Sequence, residues 1–147
     1  MIDKNKIAQR SVELFNSGYC WAESILLSVA ESKGVKSDLI PKIATGFCGG
    51  VSHTDSTCGA ISGGILAISM IDGRNQISDP REKVESKVQK LVSEFDKKFC
   101  STYCYKLTGC DLGTEEGQEK YNVNECYELC DKFVYRAAEL TLDLIDN

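Results

Sequence analysis

Eight cysteines stand in this chain of 147 residues: Cys20, Cys48, Cys58, Cys100, Cys104, Cys110, Cys126 and Cys130. Two pairs repeat one spacing, Cys100 with Cys104 and Cys126 with Cys130. Residues four apart on a helix face the same way with Cβ atoms about 5 to 6 Å apart, whereas a relaxed disulfide wants roughly 3.5 to 4.5 Å. Each pair is therefore set to point at a shared object outside its own helix, either a metal centre or the matching pair on a neighbour. Twin pairs on two antiparallel helices could also be stapled by two interhelical disulfides, a structural use that belongs to oxidising compartments.

A second signal is the stretch "HTDSTCGAISGGILAISM", residues 53–70. It reads as a buried helix, yet each interior glycine costs roughly 1 kcal/mol relative to alanine. With Thr57 as N-cap, Cys58 is the first helical residue, and the unpaired N–H groups of Gly59 and Ala60 lie beside its sulfur. Those donors and the positive end of the helix dipole favour a thiolate and would also hydrogen-bond to bridging sulfide. Gly59 and Gly63 leave room on one side for a bulky inorganic group or a neighbouring helix, and Gly63 and Gly64 serve close helix packing equally well.

The centre these thiols serve is narrowed by what is absent. No Cys-x-x-Cys-His occurs for a c-type haem, and no Cys-x-x-Cys knuckle occurs for structural zinc or thioredoxin-type exchange. Scattered thiolates with one histidine in the chain suit an iron–sulfur cluster, which takes four cysteines. Two alternatives stand beside this reading. One is a thiol–disulfide oxidoreductase cycling Cys58 against Cys104 or Cys130, which requires a depressed pKa at Cys58; the other is a module that binds zinc or copper. His53 reads as an exposed loop residue, and Tyr19 and Trp21 as core aromatics able to shield a cluster.

Composition bounds the setting. Hydrophobic residues make up 42% and charged residues 27%, globular usage without a linker, so residues 1–147 read as one domain. The net charge of −5 argues against nucleic acid or an anionic membrane, both of which need a cationic face. No run of about 18 apolar residues suggests a membrane span, and the first twenty residues lack the apolar core of a secretory signal. The expected location is cytoplasmic, where structural disulfides are rare. The expected partners are a redox protein or a small-molecule electron donor or acceptor, with a homodimer compatible with the same pattern.

The elements that must position these thiols are helices. Ile7, Ser11, Leu14 and Phe15 share a face behind a cap at Asp3 or Asn5, and Ala22, Ile25, Leu26, Val29 and Ala30 repeat the period up to Gly34. A third short helix is expected from Leu39 to Phe47, then a loop "CGGVSHTDST", then the glycine-bearing helix. Asp79, Pro80 and Glu82 signal the start of a fifth helix that runs through Phe99 and on to Leu107. After a polar connection, Asn124 caps a last helix carrying Leu129, Phe133, Ala137 and Ile145. No period of two is present, so the expected class is all-α, a bundle of about five or six helices with cysteines converging at helix ends.

The segments "GYCWAESILLS", "FCGGVSHTDSTCGAISGGILAI", "FDKKFCSTYCYKLTGCDL" and "CDKFVYRAAEL" resemble the C_GCAxxG_C_C family of redox-active proteins, over nearly the whole chain. A similar domain occurs in split-Soret cytochromes, which implies electron-transfer or iron–sulfur chemistry. The family's Cys-Gly-Ala-x-x-Gly core is matched by Cys58, Gly59, Ala60, Ile61, Ser62 and Gly63, and its further cysteines by Cys104 and Cys130. Its first cysteine follows Gly-Tyr-Asn, so it would fall on Trp21, and here Cys20 comes one residue early. In a helix that is about 1.5 Å of rise and 100° of rotation. The resemblance implies Cys20, Cys58, Cys104 and Cys130 as the first-choice ligands, and Cys48, Cys100, Cys110 and Cys126, which stand where the family commonly has other residues, as further candidates for a larger or second cluster or as spare buried thiols.

Overall fold

The computed structural model describes residues 3–147, and among them the chain is all-α. Eight helical segments follow one another: α1 Lys4–Asn16, α2 Trp21–Lys33, α3 Cys48–His53, α4 Gly59–Asp72, α5 Glu82–Phe99, α6 Cys104–Thr108, α7 Glu115–Val123 and α8 Cys126–Asp146, with a 3₁₀ segment Lys42–Phe47 before α3. No helix of the described residues is long and apolar enough to cross a membrane.

Local chemistry sets most of these boundaries. The Asp3 carboxylate accepts the N–H of Asn5 at 3.1 Å and of Lys6 at 3.4 Å, which starts α1. Glu23 reaches back to accept the N–H of Cys20 at 3.0 Å, so Cys20 caps α2 before its first turn. Gly34 ends α2 at φ 67°, a conformation in which it loses nothing to a side chain.

α4 is the central element. Residues Gly59–Gly64 are all buried, with α2, α5 and α8 packed around the helix. A Cβ on Gly63 would stand 2.8 Å from the Ala22 carbonyl oxygen and 2.9 Å from the Ala22 Cα, so the backbones of α2 and α4 touch there. Ile25, Leu26, Ile61, Ile68, Leu91, Phe95, Val134 and Leu142 fill the interior between these helices. Full burial of such side chains stabilises the fold by about 1.5 to 3 kcal/mol each.

Five expectations change. Asn124 ends α7 and does not cap the last helix, and the N-cap of α8 is Glu125. Residues 39–47 form turns and a 3₁₀ segment in place of an α-helix. Asp79 does not cap α5: its carboxylate accepts the N–H groups of Asn75 and Gln76 and closes the preceding loop, leaving Arg81 as the N-cap. α5 ends at Phe99 because Cys100 turns left-handed at φ 64°, and a new short helix begins at Cys104. The polar connection also contains α7, started by Thr114, whose hydroxyl accepts the Gly117 N–H at 2.9 Å. The helix count therefore exceeds five or six.

Candidate functional site

Two chain crossings bring distant cysteines to one end of α4. The Cys58 N–H donates to the Thr102 carbonyl at 2.8 Å, and the Cys104 N–H donates to the Ser56 carbonyl at 3.1 Å. This bridge, centred on Thr57 and Tyr103, sets Cys58 and Cys104 side by side. Asp55 secures the arrangement by accepting the Tyr105 N–H at 2.9 Å, capping α6 from fifty residues away. Cys58 itself is the N-cap of α4, one position later than expected, and Gly59 begins the helix.

The second crossing is α3, a turn of left-handed backbone. Gly49, Gly50, Val51, Ser52 and His53 take φ values of 69°, 72°, 61°, 53° and 65°. The left-handed conformation costs an L-residue roughly 1 to 2 kcal/mol, and for a β-branched residue such as Val51 it is an outlier. It is held by the Ser52 hydroxyl donating to the Gly46 carbonyl at 2.8 Å and by the Ser56 N–H donating to the Gly50 carbonyl at 3.0 Å. Strain of this kind gathers at functional sites. Here it seats Gly50 against the start of α6. A Cβ on Gly50 would lie 2.7 Å from the Cys104 Cβ.

Cys48 meets Cys20 sulfur to sulfur, with Cα atoms 5.8 Å apart, inside the range a disulfide spans. The pair flanks the start of α4, where a Cβ on Gly59 would stand 3.1 Å from the Trp21 Cβ and 3.4 Å from the Cys48 Cα. Gly59 is thus small because protein backbone approaches it.

Five other cysteines are buried together: Cys58, Cys104, Cys110, Cys126 and Cys130. Cys58 and Cys130 belong to the main core, while Cys104, Cys110 and Cys126 form a smaller cluster with Leu112. Trp21 and Tyr121 pack against both, with ring centroids 6.3 Å apart. The Tyr121 hydroxyl donates to the Cys130 sulfur at 3.3 Å. The sulfurs of Cys110 and Cys126 are 3.6 Å apart.

A match to the family model described as "Putative redox-active protein (C_GCAxxG_C_C)" extends over residues 19–144. The chain belongs to the C_GCAxxG_C_C family. It is also 30% identical, over 157 aligned positions, to an uncharacterized protein of Archaeoglobus fulgidus, with the alignment covering 100% of this chain and 98% of that one. No solved structure matches it.

In this C_GCAxxG_C_C protein, the first-choice cysteines Cys58, Cys104 and Cys130 come together, whereas Cys20 is engaged with Cys48. Cys110 and Cys126 join the buried group. Cys100 does not: the left-handed turn that ends α5 leaves it exposed, so Cys100 and Cys104 lie on no common helix face. The shared face holds for Cys126 and Cys130, which lie one turn apart on α8. His53 is exposed as expected, and Tyr19 is 39% exposed and so is no core aromatic.

The electrostatics of the buried thiols reverse one expectation. Burial pushes the Cys58 thiol up to about 12, and neighbouring Cys130 and Cys104 add to the rise. The N–H groups of Ala60 and Ile61 oppose it, although neither closes a capping hydrogen bond to the sulfur. Burial likewise pushes Cys104 and Cys126 up to about 11. Cys130 rises by burial against the Tyr121 hydroxyl and the Trp21 side chain, which favour its thiolate. Helix-end donors are therefore outweighed by desolvation, and the depressed Cys58 pKa that nucleophilic exchange needs is not found. Among the described residues, no three His, Cys, Asp or Glu side chains are grouped to hold a single metal ion.

Tyr121 and Asp55 were not picked out by sequence reasoning as site residues. For Tyr121 a signal existed, since Thr114 ahead of Glu115 and Glu116 is a helix start with acids in its first turn. Asp55 caps a helix it does not precede in sequence, and local patterns carry no trace of that.

Proposed function

We propose that the buried thiol pocket holds an iron–sulfur cluster through which the protein transfers electrons or senses redox state. The observation that carries this reading is the convergence of Cys58, Cys104 and Cys130, from three separate segments, in a buried site where desolvation disfavours their ionised forms. A positive inorganic centre is the group that would make such thiolates favourable.

Cys58, Cys104 and Cys130 supply three thiolates in this reading. Cys20, freed from Cys48 in a reducing compartment, supplies the fourth. A bound cluster contributes one-electron chemistry, with a redox protein or small molecule as the exchange partner. The chain contributes the rest: Trp21 and Tyr121 shield the pocket from water, and the Tyr121 hydroxyl bonded to the Cys130 sulfur raises the reduction potential relative to a chain lacking it. The N–H groups at the start of α4 act in the same direction.

Anaerobic reconstitution of the reduced protein with iron and sulfide tests the proposal. Visible charge-transfer absorption with stoichiometric iron and acid-labile sulfide is expected, lost in Cys58→Ser, Cys104→Ser and Cys130→Ser and kept in Cys100→Ser. A colourless protein retaining no iron overturns it. A dithiol–disulfide reading is favoured at Cys20 and Cys48, whose sulfurs already meet, and native thiol mapping of that pair decides it.

A further inference from the structure

Cys110 and Cys126 lie outside the ligand set proposed above. Both sulfurs face the Thr108 carbonyl oxygen, Cys110 at 3.6 Å and Cys126 at 3.9 Å. Cys110 is fixed in place by its own N–H, which donates to the Thr108 hydroxyl at 3.2 Å. Cys126 is the first residue of α8, reached through Glu125 in a left-handed conformation at φ 52°. The chain between them runs through α7, which carries Tyr121 onto the Cys130 sulfur. Closing a disulfide from a sulfur separation of 3.6 Å to about 2.0 Å needs only a small displacement.

We infer that Cys110 and Cys126 form a dithiol latch, whose oxidation to a disulfide ties down the segment holding Tyr121 over Cys130. A small-molecule disulfide is the oxidant. Cys126, 9% exposed against 1% for Cys110, is the thiol the oxidant reaches; despite the rise that burial gives its pKa, its deprotonated fraction attacks the disulfide and releases one small thiol. Cys110 then attacks the Cys126 sulfur and releases the second. Two S–H bonds and one S–S bond break in all, one protein S–S bond and two small-molecule S–H bonds form, and the protein gives up two electrons and two protons. The latch needs no cluster, so it stands or falls separately from the proposed function.

The test uses the full-length, metal-free, reduced protein titrated with oxidised glutathione. Peptide mapping under non-reducing conditions is expected to show a Cys110–Cys126 link, and limited trypsin cleavage after Lys120 in α7 is expected to slow by about tenfold once the loop is tied. Cys126→Ser abolishes both effects. Cys110→Ser is a second control if the first variant fails to fold, and the wild-type map needs neither. Glutathione retained on Cys126 with no link to Cys110 overturns the inference, as does a link that leaves cleavage after Lys120 unchanged.

Discussion

Gly50→Ala separates what a left-handed backbone costs from what the crowded site costs, because Gly109 provides a matched control. Both glycines have φ 72°. A Cβ on Gly109 meets nothing within 4 Å, whereas one on Gly50 stands 2.7 Å from the Cys104 Cβ and 3.2 Å from both the Ser56 N and O. Gly109→Ala is charged the conformational penalty of about 1 to 2 kcal/mol, partly offset by about 0.4 to 1 kcal/mol from a less flexible unfolded chain. Gly50→Ala carries the same balance plus about 1 to 3 kcal/mol for overpacking against backbone. At about 2 to 4 °C per kcal/mol for a chain of this size, Gly109→Ala should lower Tm by a few degrees. Gly50→Ala should lower it by roughly 5 to 15 °C and speed alkylation of Cys104. Thermal melts of the reduced protein followed by far-ultraviolet circular dichroism measure the first effect, and timed iodoacetamide labelling with peptide mapping measures the second. Equal Tm values for the two variants would refute the claim that α3 presses Gly50 onto Cys104.

Gly63→Ala should destabilise the fold despite a helix-propensity gain of about 1 kcal/mol, since the new methyl meets the Ala22 backbone below 3 Å; a raised Tm would mean that α2 and α4 do not touch there. Burial pushes the Asp72 carboxyl up, but ion pairs to Lys83 and Lys87 outweigh it and hold its pKa below 3.8. That stability is present above the unfolded pKa and lost as pH falls through the lower folded value, so Lys87→Ala should move acid unfolding to higher pH, as read by a circular-dichroism titration. Cys58 and Cys104 behave in the opposite sense: burial raises them from 9.0 to about 12 and about 11, and their contribution is full below pH 9 and lost as pH rises through those values. The Tm of reduced, metal-free protein should therefore fall between pH 9 and 11, with a shallower fall in Cys58→Ala; a flat profile would place these thiols in water.

The helical pattern was legible where burial on one face is repeated along a single segment. α1, α2 and the body of α5 and α8 follow from the spacing of Ile7 and Leu14, Ile25 and Val29, Leu91 and Phe95, and Phe133 and Ala137, all buried. Boundaries were legible where the capping group lies within a few residues, as at Asp3 and Gly34. They failed where the partner is remote or where one backbone angle departs: Asp79 serves the loop behind it, and Cys100 alone breaks the helix that would have carried Cys104 beside it. The cysteine pair at spacing four kept its meaning on α8, which has no such break.

By itself, the sequence determined that the chain is helical and that the glycines beside Cys58 admit a close neighbour. These are properties of short segments, written in period and cap. Tertiary structure alone decided that Cys20 meets Cys48, that Cys100 faces solvent, and that Tyr121 closes over Cys130. It also decided that burial raises these thiols, because desolvation depends on everything packed around a sulfur and most of that comes from elsewhere in the chain.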